Sequence, residues 1–491
     1  MSYIQFVYDT PAKKTDPPKI PAECVVHFRP ITKWEGKNFG FDWLRVGKQG
    51  QTGDTGLFGD EHYAKIMGKY KTSMNEVCND LNGWENFTYL DKNGKQQTKT
   101  CSFKNSVEDN DITNYQSLIN EYFPIAYNIP WKMPDSKKTP KKGWKFEAEK
   151  TDYTYYVPVM TLQKGKTAKL NLYVEVESKK TPPKRIDVKQ HTNDSTYFTI
   201  TGTVKPQKGT YPISVDCTSE FSEFQYIDAV AIYDDPASGK EIEKLCGQLR
   251  VVPNDQKIEA KIALIKVTID IGNGNTEGKI NEESIDELDK LLLQSYTIKK
   301  ISNDSFTLTN VQKLRGLIKK TGDKFNFRKA DGLGEFLLSE FKQDLLTKKA
   351  DSTKYDDYIK IFFMEEYCKN EVEKPDGTTS VTGLNGSTVY DKKDDETGKN
   401  IKLKTIVIFK PIDDRKETLA HEVFHALSLQ HTFVSKDGTP EAPKALYTYE
   451  AKKTENILDY SHQDKKPRYS MWYWQWRIIW EELGISIPHE I

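Results

Sequence analysis

The chain has 491 residues, of which 36% are apolar, 29% charged and 12% aromatic. Lys and Arg number 72 and Asp and Glu 72, so the formal net charge is zero. The basic excess of a typical nucleic-acid binder is absent, and no nucleic-acid partner is expected. No window approaches the ~18 consecutive apolar residues of a membrane helix, so no membrane span is expected. The start, Met1-Ser2-Tyr3-Ile4-Gln5-Phe6-Val7-Tyr8-Asp9, has neither the basic residues nor the long apolar core of a secretory signal. The expected location is cytoplasmic, or outside the cell by a route that needs no such signal, unless a signal has been removed. The length corresponds to about three domains.

Residues 1–150 carry five of the nine tryptophans: Trp34, Trp43, Trp84, Trp131 and Trp144. Residues 39–45 alternate aromatic with small or charged side chains and run into Gly47, Gly50, Gly53, Gly56 and Gly59. That pattern predicts a short strand entering a turn-rich loop. No Gly-Lys-Ser/Thr closes these glycines into a phosphate loop. The region is read as a Trp/Gly-rich domain, either a docking module for a partner or a small aromatic core. Residues 135–143, polar and rich in Lys, have the composition of a linker.

Residues 151–256 are predicted to be all-β. In residues 169–177, Leu170, Leu172, Val174 and Val176 share one face, and Lys169, Asn171, Glu175 and Glu177 the other. Similar runs at 153–160, 197–204, 211–217, 226–233 and 245–252 are separated by turn residues such as Thr181-Pro182-Pro183 and Asp234-Asp235-Pro236. The spacing predicts an immunoglobulin-like sandwich with a spacer or adhesion role. The six cysteines form no C-x-x-C pair; Cys217 and Cys246 either bridge or stay reduced.

Residues 257–491 mix both periods. A strand at 262–269 and the turn Gly272-Asn273-Gly274-Asn275 precede a helical pattern at 282–296, with Ser284 and Glu287 as a candidate capping box. Further helices are expected near 311–320 and 333–346, and strands at 358–365 and 404–409. The acidic run at 391–396 lacks the alternating ligands of a calcium loop and reads as solvated.

Chemistry concentrates after the last strand. His421 and His425 are four residues apart, so a helix places both imidazoles on one face. Two imidazoles there can bind one zinc ion, and Glu422 projects from the same end to hold a water. A continued helix would carry His431 far round the cylinder, so the helix must end near Ser428 for His431 to return as third ligand. Three histidines with one open position describe a catalytic rather than a structural site. With eight histidines in the chain, this spacing arises by chance roughly once in ten thousand such chains.

Residues His421 to His431 resemble the long zinc motif of the metzincin metalloproteases. Asn456-Ile457-Leu458-Asp459-Tyr460 is similar to their Met-turn, the loop that floors the metal. Phe433, the Asp-Tyr ending and the aromatic segment 469–480 with Gln475 look most like the pappalysin branch. The resemblance covers about residues 421–480. It implies an α+β metzincin-like catalytic domain at 257–491, preceded by the sandwich and the Trp/Gly-rich domain. It implies one catalytic Zn2+ on His421, His425 and His431, and hydrolysis of peptide bonds in a protein or peptide substrate. Glu422 would pass a proton from the zinc-activated water to the leaving amine. Tyr460 matches a tyrosine that approaches the metal or the oxyanion, and a structural hydrogen bond explains it too. Asp459 is either a partner of a ligand imidazole or a turn-capping residue. Residues 383–390 read as an edge strand for an extended substrate or as a surface hairpin. His462 is the one remaining histidine expected near the site.

Two positions depart from the family: Ser428 replaces its turn glycine and Leu458 its methionine. Both leave room for a different reading, a binding protein on the same scaffold with little or no activity. A zinc amidase acting on the cell wall is the other alternative. An exported effector is compatible with the modular layout.

Overall fold

The computed structural model describes residues 24–45, 85–90, 96–101, 117–127, 153–176, 182–191, 196–256, 258–321, 324–328, 330, 332–373, 379–393, 400–411, 415–433, 446–449, 452–464 and 466–485. Strands predominate among them, and helices are few. No helix among the described residues is long and apolar enough to cross a membrane. The glycine run at 47–59, Trp84, Trp131, Trp144, the linker at 135–143 and most of the acidic run at 391–396 lie outside the described residues or have no described side chains.

Two sheets close on one apolar core in the first half of the chain. Their strands are β1 (Cys24–Pro30), β2 (Phe39–Asp42), β3 (Val159–Leu162), β4 (Thr167–Val176), β5 (Arg185–Gln190), β6 (Phe198–Thr201), β7 (Gly209–Cys217), β8 (Gln225–Asp234) and β9 (Glu241–Val251). One sheet has the order β1-β4-β7-β6 and the other β2-β3-β9-β8-β5. Alternation drives the packing: Leu170, Leu172 and Val174 of β4 are buried, while Lys169 is exposed and Asn171 half-buried. The sheets approach so closely at Gly247 that a Cβ there would lie 2.2 Å from Val26 O.

This arrangement moves a boundary expected from composition. Strands β1 and β2 pair with β4 and β3, so residues 24–45 belong to the sandwich and not to a separate domain ending near 150. Trp34 and Trp43 are buried in its core. A sequence reading separates them because more than a hundred residues intervene before the strands they join. Cys24, Cys217, Cys246 and Cys368 are buried thiols, so Cys217 and Cys246 do not bridge.

The second half is built on a mixed sheet of β10 (Ile258–Ile269), β11 (Thr297–Thr307), β12 (Ile359–Phe363), β13 (Gly386–Lys393) and β14 (Asn400–Ile408), extended by the short strand Thr276–Glu277. Strands β11 and β12 flank β10 in parallel, and β14 lies parallel to β12. Strand β13 pairs antiparallel with β14 at the sheet's edge. Both faces are covered, which explains the near-continuous apolar sequence of β10. Ile262 and Leu264 face the core of helices α1 (Glu282–Leu292), α3 (Thr418–Ala426) and α4 (Tyr473–Glu482). Ala263, Ile265 and Val267 face α2 (Leu333–Thr347). A second sheet joins Ile318–Thr321, Lys324–Phe327, Cys368–Glu373 and Thr379–Leu384.

Two local expectations change. Helix α1 is capped by Asn281, whose side chain accepts from Glu283 N at 2.9 Å, and not by Ser284. Glu287 instead pairs with Lys290 at 2.7 Å. The segment expected to be helical at 311–320 is a 3-10 turn, Val311–Leu317, that runs into a strand.

Buried polar contacts weld the sandwich to the second half. Tyr296 Oη donates to Val252 O at 2.9 Å and accepts from Leu162 N at 2.7 Å. Gln294 donates to Tyr469 O at 2.7 Å and accepts from Met471 N at 3.0 Å, while its carbonyl accepts from Thr161 Oγ1. Asp42 accepts from Tyr473 N and Tyr122 Oη, each at 2.8 Å, and pairs with Arg45, which also pairs with Glu455. Each bond satisfies a group that burial would otherwise leave unpaired. The sandwich therefore buttresses residues 455–473.

Candidate metal centre

Helix α3 follows β14 across the sheet and is buried along most of its length. Its i, i+4 spacing places His421 and His425 on one face, with ring centroids 4.7 Å apart. The helix ends in a Schellman motif: Ser428 N donates to His425 O at 3.1 Å, and Leu429 N donates to Phe424 O at 3.0 Å. Ser428 takes the left-handed conformation, with φ of 69°. The chain then reverses and brings His431 back beside the two helical histidines.

The three Nε2 atoms form a nearly equilateral triangle with sides of 3.1, 3.2 and 3.2 Å. His421 Nδ1 lies 3.0 Å from Ile457 O and His425 Nδ1 lies 2.8 Å from Leu429 O. A carbonyl oxygen only accepts, so these Nδ1 atoms carry the protons and both Nε2 lone pairs point into the triangle. Lone pairs facing one another this closely repel unless a cation sits between them. Two ligands on a tetrahedral ion at ~2.05 Å lie about 3.3 Å apart, so the triangle fits such an ion. Burial, then the neighbouring imidazoles, hold the His421 pKa well below its ordinary value. Burial and His425 hold His431 at about 3. Both rings are thus neutral donors. Among the described residues this is the cluster of three or more His, Cys, Asp or Glu side chains arranged to hold a metal ion.

Aromatic rings pack around His431. Phe433 stacks on His431 with centroids 5.1 Å apart, and Tyr460 meets His431 edge-on at 5.0 Å. The loop 456–460 lies against the triangle. Its Ile457 O holds His421, its Leu458 O accepts from Thr432 N at 3.3 Å, and Leu458 itself is fully buried. Asn456 exchanges two hydrogen bonds with Gln475 of α4, at 2.7 and 3.2 Å. Asp459 takes the turn-capping role: its carboxylate accepts from Lys452 N, Thr454 N, Thr454 Oγ1 and Tyr460 N. It does not orient an imidazole of the triangle; the Ile457 carbonyl orients His421. His462 sits beside Tyr460 and 2.7 Å from Arg415.

Glu422, next to the first histidine, is almost fully buried, and burial raises its pKa. Its carboxylate is reached from the edge strand. Thr388 Oγ1 lies 2.6 Å from Glu422 Oε2, and a Cβ on Gly386 would come within 2.7 Å of Glu422 Cγ. No sequence motif marked Thr388, because the contact spans 34 residues and depends on strand register. Residues 383 and 384 end the strand Thr379–Leu384 of the second sheet, and residues 386–390 open β13, which lies at the edge of the mixed sheet in a hairpin with β14, so the segment is not one continuous strand.

Ser428 has a partner set that spacing did not reveal. Its Oγ lies 2.6 Å from both Tyr390 Oη and Glu482 Oε2, and Tyr390 donates to the same oxygen at 2.7 Å. Lys404 and Lys402 complete the shell of Glu482 at 2.6 and 2.9 Å. The serine thus ties the turn after α3 to β13 and α4, a link that glycine cannot make.

No family model matches the chain, and no curated protein matches it. Among solved structures, the chain is similar to one titled "Structure of surface layer protein SbsC, domains 1-6", at 12% identity and a TM-score of 0.13. That match covers 26% of this chain and 18% of the other, and so weak a likeness carries no argument.

Proposed function

We propose that the protein is a zinc-dependent endopeptidase of metzincin type, with His421, His425 and His431 as metal ligands and Glu422 as general base. The observation that carries this reading is the triangle of Nε2 atoms at 3.1–3.2 Å, two of them fixed by Nδ1–carbonyl bonds, beside a buried glutamate. A zinc ion held by these three histidines would supply Lewis-acid polarisation of a carbonyl and would acidify water. Glu422 takes a proton from water and returns it to the leaving amine. Its raised pKa brings it closer to the pH at which a carboxyl group does both. Tyr460, whose ring borders His431 and Phe433, would donate to an oxyanion in this reading. The open edge of β13 offers backbone groups to an extended peptide, which would lie as an added strand beside Glu422.

The test is hydrolysis of unfolded protein substrates by the zinc-loaded chain and by Glu422→Ala. The expected result is cleavage by the wild type and none by the variant, with equal zinc in both. Equal cleavage by the two would refute the reading. Release of peptidoglycan peptides without protein cleavage would point to the amidase alternative instead.

A further inference from the structure

Strand β13 does more than border the site. Residues 386 and 388 are two apart, so they share one face of the strand, and that face meets Glu422. Gly386 is buried and packs against the glutamate side chain. A Cβ there would stand 2.7 Å from Cγ and 3.1 Å from Oε1. Thr388 Oγ1 lies 2.6 Å from Oε2 and 3.1 Å from the Glu422 carbonyl oxygen. A hydroxyl has one hydrogen, and the shorter contact to the carboxylate takes it. The two carboxylate oxygens are therefore unequal: Oε2 is bound by Thr388, and Oε1 lies over a position that has no side chain.

We propose that Thr388, together with the empty side-chain position of Gly386, is the positioning device for Glu422, fixing its carboxylate so that Oε1 alone exchanges a proton with water. The inference rests on the assignment of Glu422 as general base and adds a residue that acts through it. Glutamate has three rotatable bonds, and holding one oxygen removes most of that freedom before substrate arrives. Pairing with β14 fixes the register of the device, with Gly386 opposite Ile408 and Thr388 opposite Ile406. Neither residue reaches the histidine triangle, so metal binding does not depend on them.

The experiment compares Thr388→Val, which keeps the shape and loses the donor, with Thr388→Ser, which keeps the donor, and with Glu422→Ala, all zinc-loaded. Thr388→Val is expected to lower kcat roughly 10–100-fold with KM and zinc content unchanged, and Thr388→Ser to recover most of the loss. Crystal structures of the wild type and Thr388→Val provide a readout that needs no activity: the Glu422 carboxylate should leave its wild-type position. Gly386→Ala should displace it as well. A wild-type kcat in Thr388→Val, or a Glu422 carboxylate unmoved in both variants, would overturn the proposal. If the wild type shows no Glu422-dependent cleavage, the endopeptidase reading fails, and the position of the carboxylate alone decides the positioning claim.

Discussion

Ser428 occupies a left-handed position, with φ of 69°, that glycine adopts freely. For an L residue this conformation costs about 1–2 kcal/mol, and glycine returns part of that gain through the entropy of its unfolded chain, leaving a net relief of about 0.5–1 kcal/mol. Against this stands the Oγ hydrogen bond to the Glu482 carboxylate at 2.6 Å. A hydrogen bond to a charged group contributes ~1.5–3 kcal/mol, and the lower end applies here because Lys404, Lys402 and Tyr390 also reach Glu482. Ser428→Ala keeps the strain and loses the bond, so it should destabilise by about 1.5–2 kcal/mol. Ser428→Gly loses both and should destabilise by only about 1 kcal/mol. The assay is urea unfolding of the metal-loaded chain followed by tryptophan fluorescence, since Trp476 and Trp480 lie on α4 beside Glu482. The expected order of stability is Ser, then Gly, then Ala. A glycine variant more stable than the wild type would show that the serine network contributes less than the strain it accompanies and would refute the assigned magnitude.

The other expectations follow from the same contacts. Burial alone would raise the Glu482 pKa, but the bonds from Lys404, Ser428, Lys402 and Tyr390 outweigh it and hold the pKa at about 2. A depressed carboxylate stabilises the fold above its unfolded value of about 4.5, and that contribution is lost as the pH falls toward 2. The urea midpoint should therefore drop between pH 5 and about 2 in the wild type and drop less in Glu482→Gln; parallel curves would refute the assignment. Tyr296→Phe strands Val252 O and Leu162 N between the two halves. It should destabilise by about 1–3 kcal/mol in the same assay, and an unchanged midpoint would show that this contact does not weld them. Gly247→Ala forces a methyl to within 2.2 Å of Val26 O. It should cost about 1–3 kcal/mol in thermal unfolding, and a neutral effect would contradict the close approach of the two sheets.

The site was legible where chemistry follows local spacing. An i, i+4 pair on a helix shares a face whatever the rest of the fold does, so His421 and His425 could be paired from sequence alone. The turn needed to recover His431 was likewise forced by helix geometry, and Ser428 makes it. Strand periodicity similarly located β4, β10 and β14 to within a few residues. What could not be read depends on contacts between distant residues. The pairing of β1 with β4 and the Thr388–Glu422 contact are set by register across long separations, for which the chain carries no local mark. The helix expected at 311–320 failed for the opposite reason: a short apolar run satisfies both periods, and pairing with Lys324–Phe327 drew its end into a strand.

The central claim is that three imidazoles hold one zinc ion. The most direct measurement is the metal content of the freshly purified chain by mass spectrometry, beside His425→Ala and His431→Ala, each before and after reconstitution with zinc. The expected result is about one zinc per wild-type chain and almost none in either variant. A wild-type chain that takes up no zinc even on reconstitution, or variants that retain it fully, would contradict the account.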